Sequence, residues 1–504
     1  MHRGKSQNNN MLENLYHFIL ITISGLFERE YYLSEYPEVR EMRINPLMHF
    51  IKKGWREGKN PSEAFNTKLY LELHPDVENV GINPLVHYIR FGKKESRAVE
   101  NGTSEEIQTE YIDLKSKAAF KGAFPEEEDK NRDKVDIILF PIIDWHYRYQ
   151  RPQQLADQLA KLGHRIFYIR TGFFEAEWPQ IRGIKENIYS VKLARTAQMI
   201  TFNTTLADAD VLVLERSIWA LKEACSIELA VMLVDLPFWR NLVLNLKHTL
   251  SWPCIYDCMD LHTGFSISTQ ATAKDERLLL ENCDLVLATS YFLLDHVKKV
   301  NPNAVLVPNG TDYEFFHQAA QPMPVEEIKD LPHPIIGYYG AIADWFDSEL
   351  VHDLAISHPE WTFLLIGSTL LSDLKPLKGA ENILLLGEKP YPEIPGYLSH
   401  FDVGIIPFKQ MPLTHATNPV KMYEYLSAGK PIVATQLNEI SHYEDFVRLA
   451  ETRDEWEAAI IACLGEEKTP GLLERRYEFA QENTWKKRTK VIEGEINRLL
   501  NGLE

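Results

Sequence analysis

A chain of 504 residues has room for several domains with sizeable cores, and 45% hydrophobic with 25% charged residues is the balance of a globular protein, not of a fibrous or disordered one. The formal net charge of −18 argues against nonspecific nucleic-acid binding and reads as solubility. Five cysteines, odd in number and set in apolar contexts, suit a reducing cytoplasm better than a disulfide framework; Cys254 and Cys258 lack the second pair a zinc site needs, so no bound metal is expected.

Residues 1–26 hold one apolar run, Leu15 to Phe27, interrupted by His17, Thr22 and Ser24. It is too short to span a bilayer and has no small-residue cleavage site. It reads as a helix packed on the next domain, with peripheral contact at the inner face of the cell membrane as the other reading. From 27 to 100 a pattern recurs after 38 residues: Phe27 and Phe65, Tyr32 and Tyr70, Asn45-Pro46-Leu47 and Asn83-Pro84-Leu85, His49 and His87, Gly54 and Gly92. Each unit predicts a short helix, a turn, and an Asn-capped helix that starts at proline and stops at glycine. Neither unit can bury its apolar face alone, so the two stack into an all-α module suited to protein docking. His49 and His87 fall on apolar helix faces and read as packing residues. Residues 101–133, polar and rich in Glu, Lys and Asp, read as a linker.

The stretch 134–320 opens with an apolar strand at Val135 to Phe140, then a loop through Asp144, Trp145, His146, Arg148 and Arg151, a helix from Gln153, and a second strand at Arg165 to Arg170. This is the start of a doubly wound sheet, whose ligands lie beyond the strand C-termini. Further strands are predicted at 210–214, 230–234, 254–257, 284–288 and 304–308. On this reading Asp210 starts a strand, which discounts Asp208-Ala209-Asp210 as a metal–nucleotide motif. Asp260 follows a strand end, and Pro308-Asn309-Gly310 supplies a tight turn. The stretch 321–504 repeats the architecture, with strands from Ile335, Trp361, Asn382 and Val403, and with Gly340 and Gly367 at strand ends where backbone can approach a phosphate. Its organising element is Asn418 to Thr435. Asn418 reads as a helix N-cap, Pro419 as the first helical residue and Gly429 as the stop before the strand Ile432-Val433-Ala434. Lys421 and Glu424, three apart on that helix, pair a cation for a diphosphate with a carboxylate for sugar hydroxyls.

The Pro419-x-Lys421-x-x-Glu424-x-x-x-x-Gly429-x-Pro431 pattern resembles the donor-sugar helix of GT-B glycosyltransferases. Trp145 followed by Gln150-Arg151-Pro152, Tyr256-Asp257-x-x-Asp260 and Pro308-Asn309-Gly310-Thr311-Asp312 resemble segments of the same family, and the 27–100 repeats resemble those appended to bacterial polysaccharide glycosyltransferases. The resemblance implies an α/β GT-B fold: two Rossmann-like doubly wound domains facing a cleft, acceptor side first, behind the all-α repeat module. It also implies a C-terminal helix crossing back near Asn483-Thr484-Trp485. The implied activity is metal-independent transfer of a sugar from a nucleotide-diphosphate sugar, as co-substrate, to a hydroxyl of a glycan or lipid-linked glycan. Gly340, Gly367, Asn418, Pro419, Lys421, Tyr423 and Glu424 would bind the donor. Trp145, Arg148 and Arg151 would face the acceptor, and His146, Asp144 or Asp260 would be the base or an acceptor contact. Two features depart from the family. Ala416 stands where many retaining members carry the first of two glutamates, and Asp344, Trp345 and Phe346 stand where relatives place an arginine and a lysine. A non-catalytic glycan-assembly scaffold and a nucleotide-sugar 2-epimerase are the alternatives.

Overall fold

The computed structural model describes residues 17, 21, 26–42, 45–62, 65–74, 77, 82–92, 111–124, 134–145, 148–171, 174–195, 205–265, 268–369, 375–377, 379–466 and 471–502. Most of the apolar stretch 1–26, much of 101–133, and His146 lie outside the described residues. The chain divides into two compact units: residues 1–104 with 146–148 and 386–391, and the remainder.

In the first unit the recurrence becomes matched elements: helices Arg29–Glu35 and Thr67–Leu73, helices Pro46–His49 and Pro84–His87, and wide π-helical turns Phe50–Gly54 and Tyr88–Gly92. The Asn45 and Asn83 side chains cap their helices by accepting from the Met48 and Val86 amides. The repeated polar residues also have a physical reason. The Tyr32 hydroxyl and His49 Nδ1 share a buried hydrogen bond of 2.9 Å, and Tyr70 and His87 share one of 3.0 Å. A Cβ on Gly54 or Gly92 would stand 2.1 or 2.3 Å from those hydroxyls, so neither position tolerates a side chain without displacing the pair. The histidines are thus packed hydrogen-bond partners inside a core of Tyr32, Phe50, Phe65, Tyr70 and Leu85.

Among the described residues the second unit holds two large sheets and a two-stranded one that pairs Phe174–Glu175 with Ala194–Arg195. The nine-stranded one runs Ile112–Asp113, Gln180–Lys185, Ile188–Lys192, Ile166–Ile169, Asp136–Phe140, Ala230–Val234, Cys254–Cys258, Leu285–Ala288, Ala304–Leu306. From Ile188–Lys192 onward all neighbours are parallel, with Asp136–Phe140 central and in register Ile137↔Ile166 and Ile137↔Val231. The six-stranded sheet is parallel throughout, in the order Ile383–Leu385, Thr362–Ile366, Ile335–Tyr339, Val403–Ile406, Ile432–Thr435, Arg448–Ala450. Apart from the edge strand Ile112–Asp113, in both large sheets the chain starts centrally, winds out to one side and then to the other. This is the doubly wound arrangement, whose central strands are buried on both faces and therefore read as continuous apolar runs.

Two expectations are corrected. Residues 210–214 are no strand: they lie in the helix Asp208–Ala224, which buries Val211, Leu214, Ser217, Ile218 and Leu221 at helical spacing and leaves Leu212 exposed. Asp208 and Asp210 sit in its first turn, where a helix favours negative charge. Within the supposed linker, Ile112–Asp113 adds an antiparallel edge strand to Gln180–Lys185, and the helix Lys117–Ala123 buries Phe120.

The terminal helical stretch breaks at Asn483-Thr484 into Leu472–Glu482 and Trp485–Asn501. There Thr311 receives and returns backbone hydrogen bonds, from its amide to Asn483 O and from the Trp485 amide to Thr311 O, both 3.1 Å. The last helix then buries Trp485, Ile492 and Ile496 in the core under the first sheet, beside Leu155 and Leu159. Among the described residues no helix is long and apolar enough to cross a membrane, and no group of His, Cys, Asp or Glu could hold a metal ion. All five cysteines are buried.

Candidate active site

The second sheet delivers its loops to one edge. Gly340 and Gly367, at the C-terminal ends of adjacent strands, have φ of +129° and +155°. A Cβ on Gly367 would lie 1.8 Å from Gly340 O, and one on Gly340 would lie 2.9 Å from Lys421 Nζ. Glycine is therefore required for the two strand ends to close up and for the lysine to lie against bare backbone. Lys421 comes from the helix Val420–Ser427. Its ammonium lies over the Tyr338 and Phe408 rings, at 5.2 and 5.4 Å from their centroids, and among the described residues it has no hydrogen-bond or ion-pair partner. Burial lowers its pKa to about 8, with Glu424 opposing the shift. Glu424, one turn on, accepts a 2.6 Å hydrogen bond from the Tyr339 hydroxyl, and burial raises its pKa to about 7. An unpaired cation beside exposed backbone, with a carboxyl next to it, is an arrangement for an anion that carries hydroxyl groups.

The loop before this helix differs from expectation. Pro419 is the N-cap, with extended backbone and no side-chain cap, and Asn418 does not cap the helix. Asn418 is buried: its Oδ1 accepts from the Asn309 amide at 3.0 Å, and its Nδ2 donates to Glu439 Oε1 at 2.8 Å and to the Tyr423 hydroxyl at 3.1 Å. Tyr423 is fully buried and stacks on Phe479. Asn418 and Tyr423 thus lie beneath the loop and support it. Ala416 is fully buried among core residues of the first sheet, and its carbonyl accepts from Ser290 Oγ at 2.7 Å. Glu439, Tyr339 and Tyr443 were not singled out by sequence; only the fold brings them to Asn418 and Glu424.

The first sheet contributes a second group of polar residues at its own C-terminal edge. Arg151 is 3% exposed and is no open acceptor contact. Its guanidinium donates two bonds to the buried Asp257 carboxylate, at 2.7 and 2.8 Å, and one to Asn309 Oδ1 at 3.2 Å. Trp145 is likewise buried, edge-on to Tyr168 with centroids 5.3 Å apart. Asp144 accepts from the Thr171 amide at 2.8 Å and lies 3.5 Å from the Arg170 guanidinium, so its charge is compensated. Arg148 has a left-handed backbone, φ +45°, and donates to Glu388 Oε1 at 2.5 Å within the first unit. Asp260 differs from these. It is partly exposed, its carboxyl has no hydrogen-bond partner among the described residues, and burial raises its pKa to about 7 against the lowering pull of Arg151. Asp235, at the end of the strand Ala230–Val234, is 1% exposed; burial first, and Asp257 second, hold its carboxyl well above the usual range. Burial lowers the neighbouring His262 to about 4, so the imidazole is neutral.

Two Rossmann-like halves, joined where their strand-end loops meet and recrossed by a C-terminal helix, define a GT-B fold. Residues 334–466, which carry Gly340, Lys421 and Glu424, match the family described as Glycosyl transferases group 1. Over 209 residues the chain is 29% identical to TuaH of Bacillus subtilis (strain 168), provisionally named a teichuronic acid biosynthesis glycosyltransferase. The alignment covers 38% of this chain and 53% of TuaH, so the chain spans about half the length of that relative. Among solved structures it is similar to sucrose-phosphate synthase from Thermosynechococcus elongatus, with a TM-score of 0.59 at 16% identity over 74% of this chain and 100% of the other. It is also similar to HepE of Anabaena in complex with UDP-glucose, with a TM-score of 0.53 at 14% identity over 72% and 100%.

Proposed function

We propose that the protein is a glycosyltransferase that moves a sugar from a nucleotide-diphosphate sugar to a hydroxyl of a growing cell-surface glycan or polysaccharide. The observation that carries this reading is Lys421, a partly buried ammonium with no hydrogen-bond or ion-pair partner among the described residues, held against Gly340 at the edge of the group 1 domain. In the reaction the acceptor oxygen bonds to the anomeric carbon as the bond from that carbon to the phosphate oxygen breaks. The electron pair leaves with the nucleoside diphosphate, whose new charge Lys421 stabilises; such fixed electrostatic stabilisation is usually the largest catalytic contribution. Glu424, braced by Tyr339, holds donor hydroxyls. The acceptor proton passes to Asp260, the one of the proposed bases in the described structure whose carboxyl is unengaged. The likeness to TuaH, named for teichuronic acid biosynthesis, supports a glycan product, and HepE with UDP-glucose makes uridine nucleotides the first donors to try. Transfer to a lipid-linked acceptor would bring the chain to the inner membrane face.

The test is nucleoside-diphosphate release from a panel of donors with glycan acceptors, comparing the wild type with Lys421→Ala and Glu424→Ala. Release with one donor that collapses in both variants supports the reading. A second reading, a glycan-assembly scaffold, draws on buried Ala416, which leaves no carboxylate at the family's first glutamate position. It predicts no release with any donor. Donor interconversion without acceptor would instead favour an epimerase.

A further inference from the structure

Four motifs far apart in sequence meet in one buried polar relay. Asp257 grips Arg151, Arg151 donates to Asn309 Oδ1 at 3.2 Å, and Asn309 reaches across to the donor loop. There its amide donates to Asn418 Oδ1 at 3.0 Å and its Nδ2 donates to Asn418 O at 2.6 Å. Asn418 continues to Glu439, whose other oxygen accepts from the Tyr291 amide at 3.0 Å, which returns the relay to the first half. Ser290 Oγ holds Ala416 O two residues away. Exposures are 3% for Arg151, 0% for Asp257, 9% for Asn309 and 1% for both Asn418 and Glu439, so these bonds form out of water. A buried polar network is stable only when its members are paired, and losing one partner exposes the rest to the desolvation penalty. Asn418 could instead have capped the helix of Lys421, as asparagine commonly does. That helix goes without a side-chain cap, and both ends of the Asn418 amide serve the relay.

We infer that Asn309 and Asn418 are positioning residues for the donor: the loop presenting Lys421 takes its shape from the Pro-Asn-Gly turn of the acceptor half, so the diphosphate site is complete only when the two halves are in contact. The role assigned to Lys421 rests on the function proposed above; the coupling between the halves does not. The discriminating variant is Asn309→Asp. It keeps the oxygen that faces Arg151 and the backbone bond to Asn418 Oδ1, but sets an acceptor against the Asn418 carbonyl, so of the two bonds between Asn309 and Asn418 it removes the side-chain one. Ile492→Val, in the fully buried packing of the last helix, serves as the control for general loosening.

Amide hydrogen exchange on the unliganded full-length protein reads the coupling directly. In Asn309→Asp, residues 412–427 should exchange about tenfold faster or more while the strand Ile335–Tyr339 keeps its protection. In the same variant the dissociation constant for UDP, or for whichever nucleoside diphosphate the wild type binds, should rise about tenfold or more. Unchanged exchange in 412–427, or acceleration there that Ile492→Val reproduces, overturns the coupling. A wild type that binds no nucleoside diphosphate sinks the glycosyltransferase reading and the donor role with it, while the exchange result still decides whether the halves are coupled.

Discussion

Burial and charge leave Lys421 and Asp260 with opposed titrations in the free protein. Lys421 is protonated below its pKa of about 8 and loses its charge as pH rises through it. Asp260 can accept a proton only above its pKa of about 7. kcat/KM for transfer should therefore rise through about pH 7 and fall through about pH 8, a narrow bell readable from initial rates. Lys421→Arg should remove the alkaline limb and keep the acid one; an alkaline limb that persists would assign it elsewhere. Because Glu424 is also raised to about 7, the acid limb needs its own control. It should survive Glu424→Gln and vanish with Asp260→Asn, which should also lower kcat by about 10²- to 10⁴-fold. Stability should show the other side of the same burial. The folded pKa of Lys421 lies below its ordinary 10.5, so the wild type gains stability as pH climbs from about 8 to 10.5. Replacing it by an apolar chain removes the cost of a partly buried charge that has no ion-pair partner among the described residues. Lys421→Met should raise stability at neutral pH by about 1–3 kcal/mol while abolishing nucleotide binding. Thermal melts and UDP titration check the pair, and a destabilised Lys421→Met would mean that the ammonium has a structural partner.

At the scale of elements the donor edge depends on two strand ends in van der Waals contact. Gly367→Ala would drive a methyl to 1.8 Å from Gly340 O, and moving Gly340 moves the surface against which Lys421 lies. The expected loss is about 2–4 kcal/mol in denaturant unfolding together with weakened nucleotide binding; wild-type binding in this variant would show that the strand ends need not touch. Elements like these were legible in the sequence because they are local. Apolar runs gave the strands Asp136–Phe140 and Ile335–Tyr339, the glycines marked their ends, and the helix of Lys421 and Glu424 followed from spacing and Gly429. The helix Asp208–Ala224 was misread because Val211-Leu212-Val213-Leu214 is a short apolar run. Only the further burial of Ser217, Ile218 and Leu221 reveals its period. Asn418 was read as a cap because the local rule for asparagine before a helix is sound. Its actual partners, Asn309 and Glu439, are 109 and 21 residues away. Arg151 and Trp145 were assigned to the acceptor from motif position alone, and their burial was visible only once the sheet was assembled.

For the second unit as a whole, the last helix decides how many folding transitions there are. Trp485–Asn501 belongs by sequence to the second half, yet Trp485, Ile492 and Ile496 are buried under the first sheet. Large buried side chains contribute about 2–5 kcal/mol each when truncated, so the three together rival the roughly 5–15 kcal/mol by which a whole domain is stable. The first half is thus unlike a free-standing Rossmann domain, since part of its core arrives from the far end of the chain. The relay through Asn309 and Asn418 ties the halves a second time, at the donor edge. With both ties in place, opening one half exposes apolar surface and unpaired polar groups in the other, so the halves should unfold together. Differential scanning calorimetry of the full chain should show a single transition for the two sheets, and Ile492→Ala should lower that transition as a unit, without splitting it. A split into two peaks in the wild type would mean that the helix is an accessory clamp on a preformed first half. In that event a chain ending at Thr484 should stay folded, whereas cooperative unfolding predicts that this truncation loses soluble protein altogether.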